Sequence, residues 1–499
     1  MNQRKMGVIL SYLTLGFNIL IGLVYTPFMI SCLGDSQYGI FSLANSLISF
    51  VTLLDLGFGQ TLVRYISKEK AIGNKEEEHR LNGLFIKIYT LIAIVAMVVG
   101  ICIIVIYPQL ASRTFTKEEV HLFQIVFIIL LVNVTVSFPM SVFSATLNAY
   151  EEFFALKLAN FMMSVCKYSM MFLLLFLGRK LIAIAITTVI ASLCMQLFYM
   201  IYAIKKTKIK FAFSKVDTDL TKDVMKFSFY IFLNLIIDFL YSNTDRLILG
   251  VVAGTVSVSI YSIGVYFSGY FTELSSAMSG VFLPQIVNYY EKDKKAEISA
   301  LFNKVGRLQM MLLFLVLGGY LCLGKEFVFL WCGNTYKDSY LIGLIIMLPS
   351  IVPLTQNIGI SVIRAMNIHK YRSYMYIVIA VLNVAISIPL AIKYGGIGSA
   401  IGTGMSTVLG QIFFMNWFYN RRVGIDIKDY WKNFIKFLIL TVAVVMLISA
   451  IKIIVKPNSW LTFAVFVLVF ACAYIVAYWS VVANEYEKSL IKSVLMKRR

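Results

Sequence analysis

A few side chains in this sequence could do chemistry at a depth where chemistry is costly. The stretch from Asn234 to Gly250, NLIIDFLYSNTDRLILG, is an apolar run that carries Asp238, Asp245 and Arg246. Lys167 stands in SVCKYSMMF with no carboxylate three or four positions away, Asp55 stands in LDLGFGQ ahead of Arg64, and Glu273 closes a stripe begun by Tyr266 and Tyr270. Charges inside hydrocarbon are expensive, and where they persist they pair or mark the path of a polar cargo or an ion. Fixed cations of this kind bind anions such as phosphate through charged hydrogen bonds. The carboxylates would neutralise those cations when no anion is bound, or would exchange a proton or a sodium ion. Seven Cys show no metal-ligand spacing, and His79, His121 and His369 fall near loops or helix ends, so no metal site and no cofactor is expected.

The elements that must position these groups follow from composition. With 60% hydrophobic residues, 14% charged residues and a mean hydropathy of +0.82, a 499-residue chain has more apolar surface than one soluble core could hide. Apolar runs appear near 8–30, 40–63, 84–106, 121–147, 156–177, 181–204, 227–252, 260–283, 308–330, 340–363, 373–392, 396–418, 434–455 and 460–482. At the roughly 20 residues a bilayer crossing needs, they predict an all-α, polytopic membrane protein of about fourteen transmembrane helices. The first run is too long, and followed too quickly by a second, to be a cleaved signal.

Basic residues set the orientation. Alternate connections carry Arg4 and Lys5, the group from Arg64 to Arg80, the group from Lys205 to Lys226, the group from Lys292 to Arg307, Arg364 to Arg372, Arg421 to Lys432, and the tail ending Lys497-Arg498-Arg499. The other connections are poor in them, so an even number of helices puts both termini in the cytoplasm. The net charge of +20 is then mostly this bias, with attraction to anionic lipid headgroups as an addition and no nucleic acid implied.

The chain also echoes itself. Asn234 to Gly250 lies without a gap over Asn18 to Gly34 at an offset of 216, with Asn18 on Asn234, Tyr25 on Tyr241 and Leu33-Gly34 on Leu249-Gly250. In that register Gly22 faces Asp238 and Ile30 faces Arg246. A second match, Ala185, Thr188 and Gln196 on Ala400, Thr403 and Gln411, has an offset of 215. Two nearly equal offsets define a six-helix repeat, and an even repeat inserts both copies with one orientation, related by a pseudo-twofold along the membrane normal. The expected organisation is a six-helix lobe over 1–204, a basic cytoplasmic linker over 205–226, a second six-helix lobe over 227–420, and appended helices 13 and 14 with a basic tail over 421–499.

Within that frame Asn18 and Tyr25 share a face of helix 1, and Asp238, Tyr241, Ser242 and Asp245 share a stripe of helix 7. Arg246 sits about 100° round that helix from Asp245, so it is not simply its partner. Gly34 and Gly39 read as a tight outer turn, Asp55 as a substrate or ion ligand or else a partner for Arg64 or another interhelical donor. Gly398 with Gly402 and Ala400 with Gly404 read as close helix packing.

The segments Leu33-Gly34-x-x-x-Tyr38-Gly39-x-Phe41, Leu54 to Gly59, Asp245 to Gly250 and Val258-Ser259-Ile260-Tyr261 together resemble one family. It is the polysaccharide transporter (O-antigen flippase, Wzx-type) branch of the multidrug/oligosaccharidyl-lipid/polysaccharide exporter superfamily. The resemblance implies a chain in a bacterial inner or cytoplasmic membrane that carries a polyprenyl-diphosphate-linked glycan to the outer leaflet, with glycan polymerases as partners. It makes helices 1, 2, 7 and 8 the lining of a central cavity. Arg64, Lys167 and Arg246 would then meet the diphosphate; Asn18, Tyr25, Asn234, Tyr241, Tyr266 and Tyr270 would meet sugar; and Asp55, Asp238, Asp245 and Glu273 would compensate charge or couple an ion. Two other readings are a multidrug cation antiporter, which should favour carboxylates over Lys167 and Arg246, and a membrane-bound polymerase, which should need larger soluble loops.

Overall fold

Several helix starts in this chain are fixed by polar side chains that satisfy the first free amides. Asn74 accepts from Glu77 N at 3.2 Å, with Glu76, Glu77 and Glu78 in the turn that follows. Thr116 and Glu119 cap each other reciprocally, Glu119 N donating to Thr116 Oγ1 at 3.2 Å and Thr116 N to Glu119 Oε2 at 2.8 Å. Ser459 and Thr462 repeat the device near the C-terminal end.

The computed structural model describes residues 3–213, 218–279, 282–366 and 368–489, and all regular structure among them is helical. The chain divides into two compact units, 1–259 and 260–499. The first holds α1 (Gln3–Leu33), α2 (Asp35–Thr52), α3 (Phe58–Ile72), α4 (Lys75–Leu110), α5 (Lys117–Ala149), α6 (Phe153–Phe176), α7 (Leu181–Thr207), α8 (Thr218–Val252) and the start of α9 (Gly254–Ser279). The second holds the rest of α9, α10 (Leu283–Glu291), α11 (Lys295–Cys332), α12 (Lys337–Thr355), α13 (Ile358–Ala365), α14 (His369–Thr407), α15 (Met415–Phe418), α16 (Ile427–Ile454) and α17 (Trp460–Ala477).

Among the described residues, eleven helical stretches are long and apolar enough to cross a membrane. One of them, Tyr374–Val423, folds back at Gly395 (φ 57°, ψ −136°) and supplies two of the runs read from sequence. Its arms are stitched by Asn383 Nδ2 donating to Thr403 Oγ1 at 3.2 Å and Ser387 Oγ donating to Asn383 Oδ1 at 3.0 Å. A side chain at Gly398 would collide with the Leu390 carbonyl and one at Gly402 with Ser387, while Gly404 approaches Ile345 O. The small residues therefore serve close packing, as expected. The helices α8 and α9, at 35 and 26 residues, are also long enough to span.

Three features depart from the sequence reading. The run over 40–63 is not one helix: α2 ends at Thr52, a 3₁₀ turn covers Leu53–Asp55, and Leu56 (φ 50°) and Gly57 (φ 77°) are left-handed before α3 begins. A left-handed residue cannot continue a right-handed helix, and glycine supplies one cheaply.

The start of the stretch read as a linker is clamped down. Ala212 N donates to His79 O at 2.9 Å, Asn82 Nδ2 to Lys210 O at 3.5 Å, and a side chain at Gly83 would collide with the Ala212 carbonyl.

The repeat register also shifts. Gly34 (φ 81°), just before α2, and Gly254 (φ 82°), the first residue of α9, occupy equivalent places, and each is followed by a matching run, Ile40-Phe41-Ser42 and Ile260-Tyr261-Ser262. The offset at the turn is thus 220, not 216, because Gly250 lies inside α8 and not at its end.

Candidate functional site

The charged candidates fall into separate environments. Asp55 ends the 3₁₀ turn where the helix breaks. Tyr89 Oη donates to it at 2.9 Å, and the amides of Gly57 and Gly59 hydrogen-bond to its carboxylate. Its place is therefore the amide end of α3, a structural cap. Among the described residues it makes no ion pair with Arg64, whose exposed guanidinium lies 4.2 Å from the centroid of the Phe227 ring. The interhelical donor to Asp55 is Tyr89.

Lys167 is different. It sits half-buried in the middle of α6 with its ammonium 4.8 Å from the centroid of the Tyr168 ring, and no described carboxylate lies within ion-pair distance. The Tyr168 ring meets Tyr25 edge-on at 5.4 Å and Phe17 at 6.3 Å, and Phe172 meets Tyr25 at 5.3 Å. These contacts zip α1 to α6 through aromatic edges, which supply packing energy where hydrophobic sorting cannot. Tyr25 is 7% exposed, and its hydroxyl is buried without a hydrogen-bond partner in the described structure. Asn18, half-buried on the same helix, stands beside Phe17. Asn18, Tyr25 and Lys167 are therefore carried by one helix pair.

On α8, Asp245 is 5% exposed. Arg246 donates back along its own helix, to Ser242 O at 3.1 Å and Asn243 Oδ1 at 3.5 Å. The side chains of Asn234, Asp238 and Tyr241 lie outside the described residues.

In the second unit, Tyr270 Oη donates to Tyr266 Oη at 2.6 Å, and the Tyr266 ring lies 5.7 Å from Trp331. Glu273, one turn on, is exposed. Tyr270 also lines a cavity of about 390 Å³ among α9, α11 and α17, walled by Phe267, Phe271, Leu323, Phe327 and Phe470. Apart from its tyrosine hydroxyls this wall is hydrocarbon.

Sequence reasoning missed three polar clusters. Arg307, grouped with the basic connections, is 8% exposed and forks onto Glu487 at 2.7 and 2.9 Å. Lys452 pairs with Glu326 at 3.0 Å and donates to Cys322 O at 2.5 Å. Glu119 gathers Ser36 and Thr255, at 2.5 and 2.6 Å. Only the last left a legible trace, the Thr116-x-x-Glu119 spacing of a capping box; the other partners lie more than a hundred positions apart.

The fold defined by these helices is that of the multidrug, lipid and polysaccharide exporter superfamily. Over 97% of this chain and all of the other, it superposes on the lipid II flippase MurJ in an inward closed conformation, at TM-score 0.77 and 16% identity. Over 81% of this chain and 94% of the other, it matches an inward-facing multidrug resistance transporter of the superfamily, at TM-score 0.66 and 13% identity. A superfamily transporter from Pyrococcus furiosus, described as having a binding pocket of reverse polarity, matches at TM-score 0.56 and 12% identity over 85% of this chain and 96% of the other. The polysaccharide biosynthesis protein family matches residues 5–289, and the chain belongs to that family. It is also 20% identical over 486 residues, 93% of each chain, to EpsK of Bacillus subtilis (strain 168), an uncharacterized membrane protein.

Proposed function

We propose that this multi-pass membrane protein is a flippase. It moves a polyprenyl-diphosphate-linked oligosaccharide from the cytoplasmic to the outer leaflet of a bacterial cell membrane, by alternating access, for assembly of a surface polysaccharide. The observation that carries the reading is Lys167, a cation in mid-helix with no described carboxylate to neutralise it, on the helix pair that also buries the Tyr25 hydroxyl without a described hydrogen-bond partner. A charge so placed is costly alone and stable beside an anion. A diphosphate supplies that anion, and glycan hydroxyls suit Tyr25 and Asn18. Arg246 is the second cation, and the hydrocarbon-walled cavity beside Tyr270 suits a stretch of polyprenyl tail.

With Asp55 engaged as a cap, Asp238, Asp245 and Glu273 remain the candidates for charge compensation or for proton or sodium coupling. Both termini face the cytoplasm in this reading, where the basic connections meet anionic lipid. A glycan polymerase would receive the product. A multidrug cation antiporter is disfavoured, because a half-buried cation without a described counter-ion repels a cationic cargo.

The test is Lys167→Met against Lys167→Arg, and Arg246→Ala, in a strain lacking the chromosomal copy. Lys167→Met is expected to lower export about tenfold or more at unchanged membrane levels, the scale of one lost charged hydrogen bond, with Lys167→Arg retaining most activity. Full export by Lys167→Met and Arg246→Ala would remove both residues, and with them the diphosphate argument.

A further inference from the structure

Glu119 is held in a divided way. Its Oε2 belongs to its own helix, accepting from Thr116 N at 2.8 Å and Thr116 Oγ1 at 3.2 Å. Its Oε1 is thereby aimed away from α5 and accepts two foreign hydroxyls, Ser36 Oγ of α2 at 2.5 Å and Thr255 Oγ1 of α9 at 2.6 Å. Those hydroxyls also touch each other, at 3.2 Å. One carboxylate oxygen thus ties together the beginnings of three helices far apart in sequence.

The seam around this carboxylate closes tightly across glycines. A side chain at Gly39 would collide with the Thr255 carbonyl, and one at Gly250 with the Tyr107 hydroxyl. Thr114 Oγ1 reaches Gly250 O at 3.0 Å and Val251 O at 3.3 Å, and Tyr107 Oη reaches Leu247 O at 3.0 Å. The end of α8 and the turn into α9 are therefore held against α4 and the α4–α5 turn by hydroxyls on carbonyl oxygens, and close on α2 across glycines with Leu43 packed beside them. Bonds of this sort exchange for bonds to water at small net cost when the parts separate, whereas interlocked side chains would have to unpack. Toward the other end of α8, the described ties to α3 include Thr61 with Ser228 at 2.8 Å and the Arg64 guanidinium over the Phe227 ring at 4.2 Å.

We propose that Ser36, Glu119 and Thr255 form a latch that closes the end of the first unit where the α1–α2, α4–α5 and α8–α9 turns meet, and that the transport cycle breaks it. The proposal rests on the transporter reading for the second clause only. The charge bias assigns this end to the outer face, so the latch is the outer closure.

The test uses the full chain with its seven native cysteines replaced, in membrane fragments open on both faces. Leu43, seven positions after Ser36, is 0% exposed, and its methyls lie 3.1 Å from where a Gly250 side chain would begin. A Leu43→Cys reporter should react slowly with a membrane-impermeant maleimide. Glu119→Gln and Thr255→Val should each speed that reaction about tenfold, the scale of one hydrogen bond to a charged group.

In a second protein, Ser36→Cys with Thr255→Cys should oxidise to a disulfide, since the hydroxyls they replace nearly touch. Export should stop on oxidation and return on reduction of the same sample. Equal labelling of Leu43→Cys with and without Glu119→Gln, failure of the pair to oxidise, or undiminished export by the oxidised pair would each overturn the latch. The labelling needs no glycan, so a latch that behaves as described in a protein that exports no polysaccharide would sink the flippase reading alone.

Discussion

Arg307 permits the most quantitative prediction, because its surroundings are complete. Its Nε and Nη2 donate to the two oxygens of Glu487 at 2.7 and 2.9 Å, Nη2 also donates to Val482 O at 2.8 Å, and Nη1 donates to Asn433 Oδ1 at 2.5 Å. Glu487 is 2% exposed and accepts further from Tyr478 Oη at 2.9 Å and Asn484 N at 3.0 Å. This knot fastens the segment after α17 to α11 and α16. Arg307→Met would leave the Glu487 charge buried with two of its donors and orphan the Val482 carbonyl. Removing one member of a buried pair costs about 3–5 kcal/mol, which is roughly two to three and a half decades in an equilibrium constant.

The assay is amide hydrogen exchange over Trp460–Val482 and the segment that follows, in purified protein, corrected for intrinsic rates. Arg307→Met should raise exchange there by that factor and leave α4 and α5 unchanged. Arg307→Met with Glu487→Met should recover most of the loss, since an apolar pair of similar volume often replaces a buried ion pair at no net cost. Equal protection in the parent and Arg307→Met, or a double variant as labile as the sum of the single ones, would refute the reasoning.

The pH dependence has a definite sign. Burial pushes the Glu487 carboxyl up, but its bonds from Arg307 and Asn484 N outweigh burial and hold it below the usual carboxylate range. Its contribution is therefore present in full above the unfolded value of about 4.3 and is lost as the pH falls through the lower folded one.

Two further outcomes follow from local geometry. Asp55→Ala should free the Tyr89 hydroxyl and the amides of Gly57 and Gly59, lowering thermal stability by about 1–2 kcal/mol; Asp55→Asn should recover part of it, and equal melting of Asp55→Ala and parent would contradict the cap. Gly83→Val should expel the 208–213 segment by collision with the Ala212 carbonyl, seen as new protease cleavage there, whereas an unchanged digestion pattern would contradict the clamp.

How much of this was legible in the sequence differs from element to element. The helices were, because a run of about 20 apolar residues matches the thickness of a bilayer and exceeds what a strand or a short core helix needs. The small-residue packing around Gly398 and Gly402 was legible too. The break at Leu56 was not: LDLGFGQ has the hydropathy of a continuous span, and only Gly57 hinted at a left-handed residue. The partner of Asp55 was hidden for another reason, since Tyr89 lies on a different helix and tyrosines are frequent in such chains. Arg307 was grouped with a connection because it borders the apolar run beginning near 308, whereas α11 starts earlier, at Lys295, and nothing local distinguishes a basic residue that folds inward onto Glu487 from one that marks orientation. Lys167 was read correctly as lacking a local counter-ion, and the structure adds the aromatic seam beside it.

The shifted repeat changes what the echo between α1 and α8 means. Aligned at 216, the charges of α8 look inserted, Asp238 against Gly22 and Arg246 against Ile30. Counted instead from the turn glycines Gly34 and Gly254, Asn18 and Asp238 both stand sixteen positions before the turn, and Tyr25 and Asp245 both stand nine before it. Tyr25 and Asp245 are also both buried, at 7% and 5% exposure. The two helices therefore keep polar groups at the same stations and differ in their charge, neutral on α1 and acidic on α8. A polar station retained in both copies is what a passage for a polar cargo requires of its walls, because each unsatisfied group in hydrocarbon is costly. The difference leaves α8 with both signs of charge, Asp238 and Asp245 beside Arg246, and α1 with neutral stations packed against the helix that carries Lys167.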